Sequence, residues 1–425
     1  MRVVRDVYER YGFEPVETPA FENIETLIGR YGEEGKLIFK ILKRGEQEAS
    51  GAADLALRYD LTVPFARVVA QYQNELPRFF KRYQIQPVWR AERPARGRFR
   101  EFCQCDIDAI GSTSVVVEVE LMAAVSDVLT RLGFEGFRIR VNDRRILTSI
   151  LSGFGIPIDR HSDALVAIDK LDKIGPEGVE RDLAARGIEP KAVTECVGFF
   201  ENVQKMPESA KDGLMWLLET VSDAPGLDDL RRIVEMSEST SASGRLRVDP
   251  SLARGLSYYT GAIMEISMPD LPGSLGGGGR YDNLIGMFLG REIPACGFSL
   301  GLERIILVMT ERNMFPATIS SGAVDVMVAF LSDDLRSDAL KLAGELRAEQ
   351  LRVDVYPETA AKLEKPLKHA STRNVPVLVI LGENERARGE VSVRDLQSRQ
   401  QDAVSRATAA NTIANRVRLI EPRTP

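Results

Sequence analysis

The sequence predicts an α+β protein built from three parts, and one observation supports each part. Residues 80–111 alternate polar and apolar side chains on both sides of an arginine-rich loop, which is the pattern of two antiparallel strands. Residues 149–242 have the apolar spacing of helices, interrupted by glycine and proline, and predict a helical insertion. Beyond residue 322, strand patterns alternate with helix patterns, which predicts a small mixed α/β domain.

The predicted hairpin places many polar side chains on one face of the sheet. In its first strand, Arg90 alternates onto the same face as Gln84 and Gln86, while Tyr83 and Trp89 take the opposite face. The second strand has an aromatic ring, an amide and two carboxylates on one face, and apolar residues on the other. The polar-face residues are Phe102, Gln104, Asp106 and Asp108; the apolar-face residues are Cys103, Cys105, Ile107 and Ala109; the loop contains Glu92, Arg93, Arg96, Gly97, Arg98 and Arg100.

These groups suit ligands of three kinds. An arginine fork fits a phosphate, the face of a phenylalanine fits a base, and carboxylates fit an amine or an imidazole. The alternative is a solvated hairpin with a charged tip, because charged hairpin loops are common.

Composition indicates a soluble globular protein of two or three domains. The chain has 425 residues, of which 44% are hydrophobic and 28% charged, and no apolar run approaches the length of a membrane span. The charged residues 1–12 do not resemble a signal peptide. A net charge of −6 disfavours a generic basic nucleic-acid coat, although a local basic patch can still bind RNA.

Cysteine and histidine usage predicts a reduced, cytoplasmic protein without zinc or disulfides. The four cysteines form no C-x-x-C pair, and the two histidines are far apart in sequence, which disfavours a histidine-dependent triad or a multi-histidine metal site. These residues are Cys103, Cys105, Cys196, Cys296, His161 and His369.

A second candidate site lies in the segment RYDLTVP. Asp60 and Thr62 are two residues apart, so in a strand they would share a face and could grip an ammonium group. The alternative is that both residues begin a helix at residues 64–70, because aspartate and threonine are common helix caps.

Further candidates follow the helical stretch. Arg254 precedes a glycine and a strand that contains Tyr258 and Tyr259; the alternative for Arg254 is a surface arginine in a loop. LGGGGRYDNLIGMF provides four glycines, which allow a backbone to approach a ligand closely, and then Tyr281. In the next predicted helix, Arg304 points away from the apolar stripe.

In the C-terminal part, AVDVMVAF, LRVDVYP, VPVLVILG and EVSVRD read as strands. The predicted helix AAKLEKPLKHAS contains Pro366, which would kink it. Lys362, Lys365, Lys368 and Arg373 provide local positive charge, which a solvated helix face explains equally well.

Taken in order, these segments resemble motifs of the class II aminoacyl-tRNA synthetases. FEPVETPAFE with its preceding helix resembles motif 1, VWRAERPARGRFREFCQCD resembles motif 2, and GLER resembles motif 3. The segments RYDLTVP and ARGLSYYTG and the sequence of the C-terminal part are most similar to the histidyl branch of this family. Two departures stand out: Ser257 occupies a position where aspartate is usual, and no helix-bearing N-terminal stretch of the kind common in the family precedes motif 1, so either the start is truncated or this member lacks that stretch.

The resemblance implies a two-step reaction, in which histidine and ATP form histidyl-adenylate and the histidyl group then passes to the 3′ end of tRNA(His). It implies ATP with Mg²⁺ as cofactors, a homodimer, and no metal site built by the protein itself. Its catalytic residues would be Arg90, Arg254 and Arg304; the ATP-binding residues Arg90, Glu92, Arg98, Phe102 and Arg304; and the histidine-binding residues Asp60, Thr62, Gln104, Asp108, Arg254, Tyr258, Tyr259 and Tyr281.

The same resemblance implies domain bounds. Residues 1–148 and 243–316 would form the class II catalytic domain, 149–242 a helical insertion, and 323–425 the anticodon-binding domain. A rival hypothesis is a regulatory paralogue that binds histidine and acts on a biosynthetic phosphoribosyltransferase. Such paralogues generally lack the C-terminal domain and the ATP arginines, whereas this chain keeps both. A different class II synthetase and a pure RNA-binding protein are two further hypotheses.

Overall fold

A computed structural model describes the protein in two compact units, Met1–Arg312 and Asn313–Pro425. Within the described part of the chain, no helix is both long and apolar enough to cross a membrane. The described residues are 1–27, 32–43, 51–168, 170–221, 223–253, 258–269, 271, 273–315, 323–360 and 362–420.

The N-terminal unit is built on an eight-stranded sheet with the strand order β1-β5-β6-β11-β10-β9-β7-β8, and a second sheet has the order β2-β4-β3. In the large sheet all neighbouring strands are antiparallel except the outermost pairs, β1 with β5 and β7 with β8. The predicted antiparallel-sheet domain is therefore confirmed. The strands are β1 Glu14–Pro15, β2 Phe21–Asn23, β3 Lys40–Leu42, β4 Ala53–Leu57, β5 Phe80–Trp89, β6 Glu101–Ile110, β7 Arg138–Asp143, β8 Leu246–Val248, β9 Ala262–Ser267, β10 Gly276–Arg280 and β11 Ala295–Gly301.

Helices cover the apolar face of this sheet. The Tyr8 side chain of α1 is fully buried and donates a hydrogen bond to the Cys105 carbonyl of β6 at 3.1 Å. Helix α4 is buried along most of its length because small and branched apolar residues face the sheet. The polar face therefore remains for the site. The helices outside the insertion are α1 Arg2–Arg10, α2 Ile24–Leu27, α3 Thr62–Tyr72, α4 Val116–Arg131, α11 Asp282–Leu289 and α12 Leu302–Glu311, with a 3₁₀ turn at Gly32–Leu37.

The predicted helical insertion is present between β7 and β8. The first helix after β7 begins at the Asp143 cap, whose carboxylate accepts a hydrogen bond from the Arg145 N–H at 2.9 Å. Helix α7 is kinked at Gly175, which has a φ of 67° and precedes Pro176. The helices are α5 Arg144–Gly153, α6 His161–Ile168, α7 Leu171–Ala185, α8 Pro190–Val203, α9 Ala210–Thr220 and α10 Leu227–Ser237, with a 3₁₀ turn at Ile158–Arg160.

The C-terminal unit is a mixed α/β domain, as predicted. Its five-stranded sheet has the order β13-β12-β14-β15-β16, with parallel pairing at β13-β12-β14 and antiparallel pairing beyond. The predicted kink at Pro366 is wrong: α14 begins at Glu364, so the proline lies in the first turn, where its missing N–H is not needed. The elements are β12 Val326–Phe330, a 3₁₀ turn at Asp333–Leu335, α13 Arg336–Ala348, β13 Val353–Val355, α14 Glu364–Thr372, β14 Val377–Leu381, α15 Glu383–Ala387, β15 Glu390–Asp395, β16 Gln401–Ser405 and α16 Ala409–Ile420.

Candidate active site

The polar face of the hairpin has the register that the alternation predicts. Side chains of directly paired residues project to the same side of a sheet. Strand β11 continues the face beyond β6 with two glycines and one serine, which leaves space above the strands. The pairs are Arg82 with Asp108, Gln84 with Asp106 and Gln86 with Gln104 between β5 and β6, and Gly297 with Asp108, Ser299 with Asp106 and Gly301 with Gln104 between β11 and β6.

Asp108 lies at the buried end of this face and is held by two protein groups. Its Oδ2 is 2.7 Å from Nη2 of Arg82, so the two side chains form an ion pair, although the contact does not have the geometry of a hydrogen bond. Its Oδ1 accepts a hydrogen bond from the Tyr281 hydroxyl. Burial raises the pKa of Asp108, whereas the Arg82 guanidinium and the Tyr281 hydroxyl lower it. Asp108 and Tyr281, both predicted to bind histidine, thus form one unit.

Asp106 and Gln104 lie next along β6 and share a neighbour on β11. Nε2 of Gln104 donates to the Ser299 hydroxyl at 2.8 Å, and the same hydroxyl forms a hydrogen bond that favours ionised Asp106. The pKa of Asp106 is raised to about 7, because burial and the Asp108 and Asp60 charges raise it by more than the Arg82 charge and the Ser299 hydrogen bond lower it. A cation bound beside Asp106 would lower this pKa and favour the ionised carboxylate.

Two buried arginines that the sequence analysis did not single out support this face. Arg82 donates to Oε1 of Gln84 at 2.9 Å, and Nε2 of Gln84 continues to Gln86 at 2.6 Å. Arg58 donates to the same Gln86 oxygen at 3.0 Å and to the Thr18 carbonyl at 2.6 Å. The network therefore ties the motif 1 segment to the hairpin. The available signal for Arg82 was its period of two with Gln84 and Gln86.

Arg90 lies at the open end of the hairpin between two aromatic rings. Its guanidinium carbon is 4.3 Å from the ring centre of Tyr59 and 5.0 Å from that of Phe102. Its Nε donates to the Tyr59 carbonyl at 3.2 Å. In the described part of the chain no carboxylate pairs with Arg90, so most of its fork is available to an anion. The structure thus brings together Arg90 and Phe102, two predicted ATP-binding residues.

The loop of the hairpin packs against α12. Arg304 donates to the Gly97 carbonyl from Nε at 3.4 Å and also donates to the Ser274 carbonyl. Gly97 has a φ of 68°, which supplies the turn that the sequence predicts. Glu92 and Arg98, both predicted to contact ATP, are 3.8 Å apart across the loop. Arg304 is thus held beside the loop by backbone carbonyls.

The strand geometry predicted for Asp60 and Thr62 is wrong. Strand β4 ends at Leu57, and Thr62 is the first residue of α3. Oδ1 of Asp60 accepts the Val63 N–H at 3.0 Å, as a residue at a helix start does. The helix start, given above as the alternative, therefore describes the local structure. A short polar residue before a helix favours this geometry because its carboxylate satisfies an otherwise unpaired N–H.

The remaining predicted residues are tyrosines and one arginine. The ring centre of Tyr258 is 4.9 Å from that of Tyr259 and 6.2 Å from that of Tyr281, which places all three tyrosines in one aromatic cluster. Arg254 and Ser257 lie outside the described residues.

Sequence comparison identifies the family to which this site belongs. The family model described as histidyl-tRNA synthetase matches residues 1–305, and the model described as anticodon binding domain matches residues 325–416. The chain belongs to the histidyl-tRNA synthetase family. A histidine–tRNA ligase of Porphyromonas gingivalis is 42% identical, with 97% of this chain and 93% of the relative covered. A histidine–tRNA ligase of Gloeobacter violaceus is 38% identical, with 98% of this chain and 94% of the relative covered.

The fold of the histidyl-tRNA synthetases is also the fold of this chain. The crystal structure of histidyl-tRNA synthetase from Nostoc sp. PCC 7120 has a TM-score of 0.81 and 31% identity, with 98% of this chain and 94% of that chain covered. A structure titled as an ATP phosphoribosyltransferase regulatory subunit/histidyl-tRNA synthetase from Bacillus halodurans has a TM-score of 0.72 but only 20% identity, so it shows the fold alone. The predicted class II architecture is confirmed.

Proposed function

We infer that this protein is a histidine–tRNA ligase. A histidine carboxylate oxygen attacks the α-phosphorus of ATP, the bond to the β-phosphate oxygen breaks, and pyrophosphate leaves. A ribose hydroxyl of the 3′-terminal adenosine of tRNA(His) then attacks the histidyl carbonyl, loses its proton, and displaces AMP. The observation that carries this proposal is the meeting, on one sheet face, of the Arg90 fork and the buried Asp108–Tyr281 pair.

Arg90 and Phe102 support an ATP subsite at the open end of the hairpin. The Arg90 guanidinium is a permanent cation that would contact the α-phosphate and stabilise the charge that develops there. The half-buried ring of Phe102 suits adenine, because a purine stacks on an aromatic ring. Arg304, Glu92 and Arg98 border the same loop, and we propose them as further ATP contacts. No cluster of three potential metal ligands occurs among the described residues, so Mg²⁺ would be held mainly by the phosphates.

The histidine subsite is proposed at the buried end. Asp108 already accepts a hydrogen bond from Tyr281, so the Tyr281 oxygen can itself accept the N–H of a neutral imidazole. Tyr258 and Tyr259 extend the wall beside it. A pocket of buried polar groups rejects apolar amino acids, because their binding would leave those groups unpaired. Asp60, Thr62 and Gln104 are proposed for the α-amino group, and Arg254 for the α-phosphate and the histidine carboxylate.

Separate roles are proposed for the other parts of the chain. Residues 1–148 and 243–316 would carry out the chemistry, and residues 149–242 would form an inserted helical domain. Residues 323–425 would bind the anticodon of tRNA(His), which agrees with the domain matched there. We propose a cytoplasmic homodimer whose interface involves the motif 1 segment, which the Arg58 network connects to the site.

Amino-acid-dependent exchange between ATP and pyrophosphate tests the proposal. The full-length protein is assayed with each of the twenty amino acids, ATP, labelled pyrophosphate and Mg²⁺. Only histidine should support exchange. Equal exchange with proline or threonine would contradict the proposed substrate. Histidine binding without any exchange would favour the regulatory paralogue.

A further inference from the structure

Two buried acceptor atoms on the polar face have no hydrogen-bond partner. Asp106 is 2% exposed and Gln104 is 8% exposed. Oδ1 of Asp106 and Oε1 of Gln104 are each buried and unpartnered. Buried polar atoms in folded proteins are nearly always satisfied, so two unsatisfied acceptors on one strand point to a ligand that donates hydrogen bonds.

One hydroxyl explains why these two atoms are the ones left open. Ser299 on β11 is paired with Asp106 on β6, and its hydroxyl accepts from Nε2 of Gln104 at 2.8 Å. The same hydroxyl forms a hydrogen bond with the Asp106 carboxylate. Gln104 therefore uses its N–H on Ser299 and presents its carbonyl oxygen to the site. The flanking Gly297 and Gly301 contribute no side chain that could occupy the space above Ser299.

The charges around this position favour a cation. Asp106 lies within electrostatic range of two further carboxylates, because the charges of Asp108 and Asp60 both raise its pKa. Arg82 opposes them, but it forms its ion pair with Asp108. A ligand cation would offset the remaining negative charge, and an ammonium group offers three N–H donors.

We propose that Oδ1 of Asp106 and Oε1 of Gln104 together accept hydrogen bonds from the α-ammonium group of histidine, and that Ser299 orients both acceptors. The proposal rests on the proposed function, because histidine is taken as the substrate. It adds Asp106 as a histidine-binding residue and Ser299 as a positioning residue. A charge-assisted pair of acceptors recognises the ammonium group itself, whatever the rest of the ligand.

Titration calorimetry on the full-length protein tests this with three ligands. L-histidine has the ammonium, imidazole and carboxylate groups; histidinol lacks the carboxylate; imidazolepropionate lacks the ammonium. In Asp106→Asn, the Kd values for histidine and histidinol should rise by about 10–100-fold, since a hydrogen bond to a charged group is lost. The Kd for imidazolepropionate should stay within about threefold of that of the unmodified protein or fall, because this ligand has no ammonium group to bind the Asp106 carboxylate.

Two further variants make the test specific. Ser299→Ala keeps both acceptor atoms but removes the hydroxyl that orients them. The Kd values for histidine and histidinol should therefore rise by about 3–10-fold, and the Kd for imidazolepropionate should not change. Asp108→Asn, two residues along the same strand, should weaken all three ligands because each contains the imidazole. Asparagine has nearly the shape of aspartate, so Asp106→Asn should still fold, which circular dichroism checks.

The outcomes separate two failures. If Asp106→Asn weakens all three ligands equally, or leaves histidine binding unchanged, the ammonium role of Asp106 is wrong. If the unmodified protein binds none of the three ligands, the proposed function itself is wrong.

Discussion

Arg82 and Asp108 face each other on neighbouring strands, with Nη2 of the arginine 2.7 Å from Oδ2 of the aspartate and both side chains buried. The guanidinium also continues into the amide network through Gln84. Asp108 is therefore oriented from one side by Arg82 and from the other by Tyr281. The arginine supports the histidine subsite without needing to touch the substrate.

Removing Arg82 should destabilise the N-terminal unit severely. Arg82→Met leaves Asp108 buried without its cation and should lower the free energy of unfolding by about 3–5 kcal/mol. Arg82→Met combined with Asp108→Asn should lose less, because the carboxylate that forms the ion pair with Arg82 is also removed. Urea unfolding followed by tryptophan fluorescence measures this, since Trp89 and Trp216 both lie in that unit.

The control for this experiment is Arg231→Met. Arg231 forms exposed ion pairs with Asp228 and Glu235, so its loss should leave the free energy of unfolding nearly unchanged. Equal losses for Arg82→Met and Arg231→Met would contradict a stabilising role for the buried pair.

Arg90→Lys should slow histidyl-adenylate formation by about 10²–10³-fold, since a point charge does not reproduce the guanidinium fork stacked between Tyr59 and Phe102. Single-turnover adenylate formation measures the effect. Arg96→Lys is the matched control, because Arg96 is exposed and pairs with Glu311 at 2.5 Å. A rate for Arg90→Lys close to that of the control would contradict the proposed role of Arg90 in adenylate formation.

Arg254→Ala should slow the same step by about 10²–10³-fold while histidine affinity changes far less, because the lost cation would act on charge that develops in the transition state. Arg254→Lys should recover little of the rate. Single-turnover kinetics beside unfolding curves measures both effects. Near-normal adenylate formation by Arg254→Ala would favour the alternative of a surface arginine.

Removing residues 323–425 should spare histidine activation more than tRNA charging. The proposed ATP and histidine residues all lie in Met1–Arg312, which has its own core. Pyrophosphate exchange and tRNA aminoacylation are measured on the same preparation, with its oligomeric state determined by light scattering. A dimeric truncated protein that charges tRNA as well as the full chain would contradict the anticodon role.

Asp106 should make stability depend on pH in a defined direction. Its pKa is about 7 in the folded protein and near the ordinary value of 3.8 when unfolded, so the folded state binds more protons between these values. Stability from this group therefore falls as pH rises towards 7 and is constant above. Asp106→Asn cannot ionise, so its Tm should exceed that of the unmodified protein by an amount that grows from about pH 5.5 to about pH 7.5.

The matched control is Asp228→Asn, since Asp228 is exposed and its pKa is lowered by a hydrogen bond from Arg231, so it stays ionised throughout this range. Melting without histidine is followed by circular dichroism. A Tm difference for Asp106→Asn that does not vary with pH would contradict the raised pKa.

Sequence periodicity predicted the part of this site that depends on local geometry. The alternation in residues 101–110 correctly placed Gln104, Asp106 and Asp108 on one face, because a strand repeats every two residues. The same rule was wrong for Asp60 and Thr62, because β4 ends earlier and α3 begins at Thr62.

The other part of the site depends on contacts between distant segments. The pairing of Arg82 with Asp108 depends on strand register, and the position of Ser299 beside Asp106 depends on the neighbour of β6 being a strand almost 200 residues later. Neither follows from periodicity. The resemblance to a known family predicts the ligands of the face, but it does not predict the groups that hold its side chains in place.

The glycine strand β10 also limits how this site can change during evolution. A Cβ atom at Gly276 or Gly278 would collide with the backbone of β11, and one at Gly279 would collide with the Ala262 carbonyl. Even alanine is therefore excluded at these positions without moving a neighbouring strand. A point mutation at Gly276, Gly278 or Gly279 therefore adds a side chain only if a strand moves, so a change of substrate preference would come from the surrounding strands and loops.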